Sequence, residues 1–313
     1  RDLDMLSVTR DKKSIGSKLK FDLDLPSQSE DDIVLQDGIL LPEWDWKKQQ
    51  MIQDCCRVVE LVARDDESVE LPAHLTRLAR KLRNQFQALA PARVWQARQQ
   101  DGQDSDIDAS MRYVADKQAG HDIGADHLYR ELLNGTRDLS CLLLADLSLS
   151  TDSWIDDYHR VIDVIRDSLY LFAESLSSTG DRFSMYGFSS RKRDPVRLHK
   201  IKDFTENYSG QIRGRISQIV PGYYTRLGTA IRYATEKLQL QPEGRKLLLI
   251  LTDGKPNDLD KYEGRFGIED TRKAVLEARR VGLQPVCVTI DRKGNEYLPH
   301  LFGSKGYVVS KIP

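Results

Sequence analysis

Two apolar runs, residues 139–145 and 246–252, most constrain the fold, because each is followed directly by an aspartate. Runs of this length with few polar residues are typical of strands that are buried on both faces of a parallel sheet. From Asp138 onward, such runs alternate with stretches of helical periodicity, which is the pattern of an α/β fold. We therefore expect a central, mostly parallel sheet flanked by helices.

A carboxylate and two hydroxyls follow the first apolar run at alternate positions, as Asp146, Ser148 and Ser150. Alternate side chains of an extended segment point the same way. Three hard oxygen ligands would therefore converge at the carboxyl end of a strand, where open α/β sheets bind ligands. Oxygen ligands of this kind suit Mg²⁺ or a similar hard cation. The same triplet could also arise as an N-cap cluster ahead of a helix.

Two later segments supply further oxygen ligands at the same edge of the sheet. Asp253 directly follows the second apolar run, and Thr225 lies in a loop that opens a helix. In order and context, these residues resemble the von Willebrand factor A domain and its metal-ion-dependent adhesion site. Thr229 is an alternative to Thr225, but it falls inside the first helical turn. The predicted metal ligands are Asp146, Ser148, Ser150, Thr225 and Asp253.

This resemblance implies a Mg²⁺ ion, or another divalent cation such as Mn²⁺, that binds mainly to neutral hydroxyl oxygens and keeps most of its charge. One coordination position of such an ion stays open. An aspartate or glutamate of a partner protein can fill that position in a charge-assisted contact. We therefore expect metal binding and partner binding to be coupled.

A narrower resemblance, to the NorD/CbbO family, covers most of the chain. It implies an adaptor that recognises a client protein for a MoxR-type AAA+ ATPase ring, either CbbQ-like or NorQ-like. Proteins of the CbbO type serve Rubisco, and those of the NorD type are linked to nitric oxide reductase. We prefer the CbbO type with Rubisco as the client, and we keep the NorD type as the alternative. The resemblance is carried by residues 41–45, 146–152, 186–190, 221–226, 251–258, 262–264 and 267–271.

The long polar connection over residues 254–267 leaves the strand that carries Asp253, so it should lie beside the ion. Loops of this length in compact domains are often functional. We expect this loop to shape the choice of partner, although it could instead only pack over the edge of the sheet. The candidate partner-binding residues are Lys255, Asn257, Asp258, Tyr262 and Glu263.

The motifs of several enzyme classes are missing from the sequence. It has no phosphate-binding Gly-x-x-x-x-Gly-Lys-Ser/Thr loop, no Gly-x-Ser-x-Gly and no His-Glu-x-x-His. We therefore expect a non-catalytic accessory subunit. A metal-dependent hydrolase is an alternative, but it would need a general base, and no histidine falls in the motif loops. A chelatase-type subunit is another alternative, against which the loop after Asp253 argues.

Composition narrows the partners and the compartment. Lys and Arg number 47 and Asp and Glu 48, whereas nucleic-acid binding usually shows as a basic excess. The sequence has no apolar run long enough to cross a bilayer and no secretory signal at its start. Its four cysteines form no Cys-x-x-Cys pair, which fits a reduced, cytoplasmic compartment. Because the first residue is Arg1 and not Met, we expect a piece of a longer chain.

The character of the sequence changes near residue 135. Residues 1–40 are polar and charged, and we expect them to be extended or partly disordered. Residues 41–135 are predicted to form a mainly helical extension, and residues 136–313 the A domain. Within the extension, the apolar spacing predicts amphipathic helices over 46–64 and 71–89, and a third helix over 109–118 that is capped by Asp108. Within the A domain, residues 195–201 are predicted to form a short edge strand.

Overall fold

The computed structural model describes residues 33–35, 37–63, 67–88, 94–120, 127–133, 138–155, 159–291 and 294–310. Within these ranges, the strands form one nine-stranded sheet and one three-stranded sheet. The strands, numbered along the chain, are β1 Ile33–Val34, β2 Ile39–Asp45, β3 Gln50–Val62, β4 Val94–Gln99, β5 Asp104–Ser105, β6 Tyr129–Leu133, β7 Leu139–Asp146, β8 Arg182–Ser190, β9 Val196–Lys202, β10 Arg245–Thr252, β11 Leu283–Thr289 and β12 Tyr307–Val309.

Helices connect the strands of the large sheet. None of the helices in the described ranges combines the length and the apolar composition that crossing a membrane requires. The α-helices are α1 Thr76–Ala88, α2 Ile107–Gln118, α3 Val161–Thr179, α4 Gly210–Ser217, α5 Leu227–Gln239, α6 Arg265–Arg280 and α7 Leu298–Phe302.

The large sheet has the strand order β1-β3-β9-β8-β7-β10-β11-β12, and β2 pairs with β3. Strands β8, β7, β10, β11 and β12 run parallel to their neighbours in that series. The β8–β9 pair is antiparallel, and β3 is parallel to β9. The predicted α/β fold, with a mostly parallel central sheet flanked by helices, is therefore confirmed.

Both faces of the central strands are covered by helices. Leu142 and Leu144 of β7 are fully buried in a cluster that α5, α6 and α7 line. Leu143 and Ala145 are fully buried in a second cluster on the other face, together with residues of α1, α3 and α4. Because side chains alternate along a strand, a strand covered on both sides must be apolar throughout. This explains why the run over 139–145 has no charged residue.

The predicted helix over 46–64 is wrong, because β2 and β3 form an antiparallel hairpin there. Strand β3 also pairs in parallel with β9 over Val58–Leu61, next to strands that follow residue 136. Apolar residues at 51, 55, 58, 61 and 62 fit a helical stripe, but the free edge of β9 offers a ladder of hydrogen bonds that favours a strand. Of the described residues over 41–135, α1 and α2 are helical as predicted, whereas the β2–β3 hairpin and the three-stranded sheet of β4, β5 and β6 are not.

Three smaller predictions need correction or limits. The predicted edge strand is present as β9, but it lies inside the sheet because β3 covers its outer edge. Helix α2 is capped by Asp106, whose carboxylate accepts a hydrogen bond from Ala109 N at 3.2 Å, and not by Asp108. The prediction for residues 1–40 falls mostly outside the described residues, and its last part includes β1 and the start of β2.

Candidate metal centre

Strand β7 delivers Asp146 to the carboxyl edge of the sheet, where its side chain is only 1% exposed. The chain turns sharply there, and Ser148 N donates a hydrogen bond of 2.9 Å to Asp146 Oδ1. A 3₁₀ turn over Leu149–Asp152 follows. The turn keeps the carboxylate and the two serines that follow it within one small volume.

Hydroxyl groups link the three segments of the site. Ser148 Oγ and Ser150 Oγ lie 2.9 Å apart, and Ser150 Oγ donates to Asp253 Oδ1 at 2.9 Å. Thr225 Oγ1 lies 3.3 Å from both carboxylate oxygens of Asp146. The structure therefore brings all five predicted ligands together, and it is Thr225 rather than the alternative Thr229 that contacts Asp146.

Thr252 is a member of the site that the sequence reasoning missed. Its hydroxyl donates to Asp146 Oδ2 at 2.8 Å, a shorter contact than that of Thr225. The register of β10 on β7 pairs Leu251 with Ala145, so the next residue of β10 comes level with Asp146. The signal in the sequence was its position as the last residue of the second apolar run, directly before Asp253.

Among the residues that the structure describes, the two carboxylates of the site have no basic partner. Burial raises the pKa of Asp146, and burial together with the charge of Asp146 raises the pKa of Asp253 to about 7. No lysine, arginine or histidine of the described ranges forms an ion pair with either group. Two acidic groups held this way leave an unbalanced negative charge, which favours a bound cation.

The donor set fits a hard divalent cation. Carboxylate and hydroxyl oxygens are the ligands that Mg²⁺ and Mn²⁺ prefer over softer metals. In the described part of the chain, no group of three or more His, Cys, Asp or Glu side chains is placed to hold a metal ion. Metal binding here would therefore depend on the hydroxyls of Ser148, Ser150 and Thr225 as well as on Asp146 and Asp253.

The polar loop that follows Asp253 lies beside the site, as expected. Asn257 N donates to Thr225 O at 3.0 Å, and Thr225 N donates to Asn257 O at 2.8 Å. The side chains of Lys255, Asn257 and Glu263 are exposed. These three residues remain candidates for contact with a partner.

The two other loop candidates lie in the interior and use their polar groups there. Asp258 is 3% exposed and accepts hydrogen bonds from Ser190 Oγ at 2.8 Å and from Lys192 N at 2.9 Å. Tyr262 is fully buried, and its hydroxyl donates to Asp270 Oδ2 at 2.7 Å. Buried groups with internal partners cannot face another protein, so these two residues shape the loop instead.

Comparison with known proteins identifies the fold family. Residues 143–311 match the model of the von Willebrand factor type A domain. The chain belongs to this family. Among solved structures, the A domain is similar to the PilB minor pilin from Streptococcus sanguinis, with a TM-score of 0.47, 16% identity, and coverage of 60% of this chain and 62% of that chain.

Relatives of the whole chain carry a more specific name. The chain is 50% identical over 298 residues to Protein NorD of Stutzerimonas stutzeri, and the match covers 95% of this chain and 48% of the relative. It is 42% identical over 317 residues to Protein NorD of Brucella abortus (strain 2308), covering 100% of this chain and 50% of the relative. The chain thus spans about half the length of these relatives. They favour the NorD alternative, and they do not support the preferred CbbO type with its Rubisco client.

Proposed function

We propose that this protein is a non-catalytic adaptor that uses a divalent cation to bind an acidic side chain of a client protein. The observation that carries this proposal is the cluster of carboxylates and hydroxyls at the carboxyl edge of the sheet, which has no basic partner in the described part of the chain. Asp146 and Ser148 are buried, whereas Ser150 is exposed and Asp253 half-buried. The cluster therefore reaches solvent on one side, where a partner can approach.

Each residue of the cluster has a distinct part in this proposal. Asp146 anchors the site and is oriented by hydrogen bonds from Ser148 N and the Thr252 hydroxyl. Ser148, Ser150 and Thr225 offer neutral oxygens, and Asp253 adds a second carboxylate. A bound Mg²⁺ would supply the positive charge that balances the two aspartates and attracts a carboxylate of the partner.

We further propose a NorD-type role, in which the adaptor couples its client to a MoxR-type, NorQ-like AAA+ ATPase for the activation or maturation of nitric oxide reductase. The relatives named NorD support this assignment over the CbbO type. Because the sequence has no phosphate-binding loop, the energy for remodelling would come from the ATPase partner.

A metal-dependent hydrolase or a chelatase-type subunit would use the same ion differently. A hydrolase needs a free group that can take a proton from water. In the described site, the Asp146 carboxylate is buried and already accepts hydrogen bonds from three donors. Asp253 accepts one hydrogen bond from Ser150. These contacts favour a binding site over a catalytic one.

The test is a binding assay with purified candidates for both clients, nitric oxide reductase and Rubisco, each with the cognate AAA+ ATPase. We expect binding of the reductase in Mg²⁺, and loss of binding in EDTA or in Asp146→Ala. Asp138→Ala is the matched control, because Asp138 precedes the other end of β7, and within the described ranges its carboxylate accepts a hydrogen bond only from Gly244 N, at 2.8 Å. Client binding that survives both EDTA and Asp146→Ala would refute the metal-bridged adaptor, and binding of Rubisco alone would restore the CbbO assignment.

A further inference from the structure

Arg226 is a buried cation that joins three segments around the candidate metal site. Its side chain is 1% exposed, and it follows Thr225 directly at the start of α5. Both oxygens of Asp260 lie 2.7 Å from its Nη2 atom, and Asp258 Oδ2 lies 3.3 Å from its Nε atom. The remaining nitrogen donates to Glu43 of β2. The Nε atom also donates to Lys192 O at 2.9 Å, in the turn between β8 and β9. One guanidinium therefore contacts the polar loop, the β2–β3 hairpin and this turn.

Glu43 is the partner of Arg226 in the hairpin and is fully buried. Its other oxygen accepts a hydrogen bond from Arg193 Nε at 3.1 Å, in the turn between β8 and β9. Glu43 lies at the centre of the 41–45 segment, which the sequence singled out but which the candidate metal site leaves without a role. A buried carboxylate shared by two arginines fixes the hairpin against the turn and against Arg226.

The hairpin is also held along α6. Trp44 N donates to Asp270 Oδ1 at 2.8 Å, and Lys273 Nζ lies 4.2 Å from the centre of the Trp44 ring. Arg265 lies 4.4 Å from the centre of the Trp46 ring. Hydrogen bonds and cation–π contacts of this kind limit how the hairpin can move relative to the start of α6 and the loop before it.

We propose that Arg226 and Glu43 are positioning residues through which the β2–β3 hairpin sets the geometry of the metal site and of the loop over residues 254–264. The contacts lead stepwise from the hairpin to the metal site. Glu43 fixes Arg226, Arg226 fixes the adjacent Thr225 as well as Asp258, and Thr225 contacts Asp146. The guanidinium has five donors in a rigid plane, so its partners are placed in direction as well as in distance. The part of this proposal that concerns the metal site rests on the proposed function, whereas the part that concerns the loop does not.

Glu43→Gln tests the proposal, and Glu174→Gln is its matched control. Glu174 is also a buried carboxylate shared by two arginines, Arg83 and Arg213, but it lies on α3, away from the site. We expect Glu43→Gln to lower the affinity for Mg²⁺ about tenfold, as loss of a group that orients metal ligands does. The affinity is measured by titration calorimetry with Mg²⁺ alone.

Hydrogen exchange of the 254–264 amides provides a readout that needs no metal. Asn257 N and Tyr262 N are bonded to Thr225 O and Asp260 Oδ1, so these amides should exchange faster once Arg226 is released. If Glu43→Gln does not fold, Arg226→Lys replaces it, because lysine keeps the charge without the planar fork.

The outcomes separate a positioning role from a merely structural one. Lower Mg²⁺ affinity and faster loop exchange in Glu43→Gln, with neither change in Glu174→Gln, support the proposal. If Glu43→Gln or Arg226→Lys keeps the wild-type affinity for Mg²⁺ and the wild-type exchange rates of the loop amides, the proposal is overturned, even where the variant has lost stability. If the wild-type protein binds no Mg²⁺, the proposed function fails, and loop exchange alone still decides the role of the hairpin.

Discussion

Replacing Asp146 with asparagine should leave the protein at least as stable as the wild type without Mg²⁺ and make it less stable than the wild type in Mg²⁺. The variant keeps the shape of the side chain and removes one negative charge. Asp146 is 1% exposed, and burial raises its pKa because the charged form is unfavourable there. The nearby charge of Asp253 adds repulsion, since each aspartate disfavours the ionisation of the other.

The structure sets limits on the change in stability without Mg²⁺ and on the change in Mg²⁺. Burial of a carboxylate without a counter-charge costs several kcal/mol, and each hydrogen bond to a charged group returns roughly 1.5–3 kcal/mol. The bonds from Ser148 N and Thr252 thus offset much of that cost. Without metal, we expect Asp146→Asn to be as stable as the wild type or more stable by about 1 kcal/mol.

In Mg²⁺ the wild type should be the more stable of the two proteins. At a concentration a hundredfold above Kd, a ligand that binds only the folded state stabilises it by about 2.7 kcal/mol. For a protein of this size, that corresponds to a rise in Tm of roughly 4 °C. The wild type should gain this stability, and Asp146→Asn should gain almost none of it because a charged ligand is missing.

The assay is thermal and urea unfolding of both proteins after treatment with EDTA and again in Mg²⁺. Asp138→Asn, before the opposite end of β7, should respond to Mg²⁺ as the wild type does. An equal rise in Tm for Asp146→Asn and the wild type would refute the metal site. A metal-free variant less stable than the wild type by more than about 3 kcal/mol would show that hydrogen bonding, and not charge, dominates at this position.

Three further changes test the surroundings of the site and the fold. Gly228→Ala should lower the free energy of unfolding by about 1–3 kcal/mol, because a Cβ atom there would overlap the Asp270 carboxylate; unchanged stability in urea would mean that this carboxylate can move. Burial lowers the pKa of Lys202 to about 8, against 10.5 for its ordinary value, so between these values the unfolded chain holds a proton that the folded chain has lost. The free energy of unfolding should therefore rise by at most about 3 kcal/mol between these two pH values. Urea unfolding of the wild type and of Lys202→Met at several pH values should show that the difference between their free energies of unfolding rises in the same way. A difference that does not change with pH would contradict the burial argument. Asp106→Ala should destabilise α2 by about 1 kcal/mol and speed its hydrogen exchange, whereas Asp108→Ala should not, and equal effects would contradict the capping contact.

Part of the candidate site could be predicted because its spacing follows from local geometry. Asp146, Ser148 and Ser150 lie within five positions, so a short turn after β7 keeps them together, although the structure forms a 3₁₀ turn there and not the expected extended segment. Parallel strands bring their carboxyl ends to one edge. The sequence also indicated Thr225 and Asp253 in that context. It did not reveal Thr252, because its contact with Asp146 depends on the register between β7 and β10, which local patterns do not encode.

The hairpin shows where local patterns stop being decisive. Apolar residues over 46–64 satisfy a helical stripe, yet residues 50–62 form β3 because the edge of β9 accepts a parallel neighbour. The same limit applies to Asp258 and Tyr262, which read as exposed loop residues until their partners from distant segments are known.

The sequence by itself determined the α/β class, the central strands and the five oxygen-bearing residues of the candidate site, since these depend on residue type and on spacings of a few positions. Only the tertiary structure decided which strand lies at the edge and which loop side chains are buried. It also decided that Glu43 contacts Arg226 across 183 positions. Such pairings depend on burial and charge between segments that are distant in the chain, and no short sequence pattern carries that information.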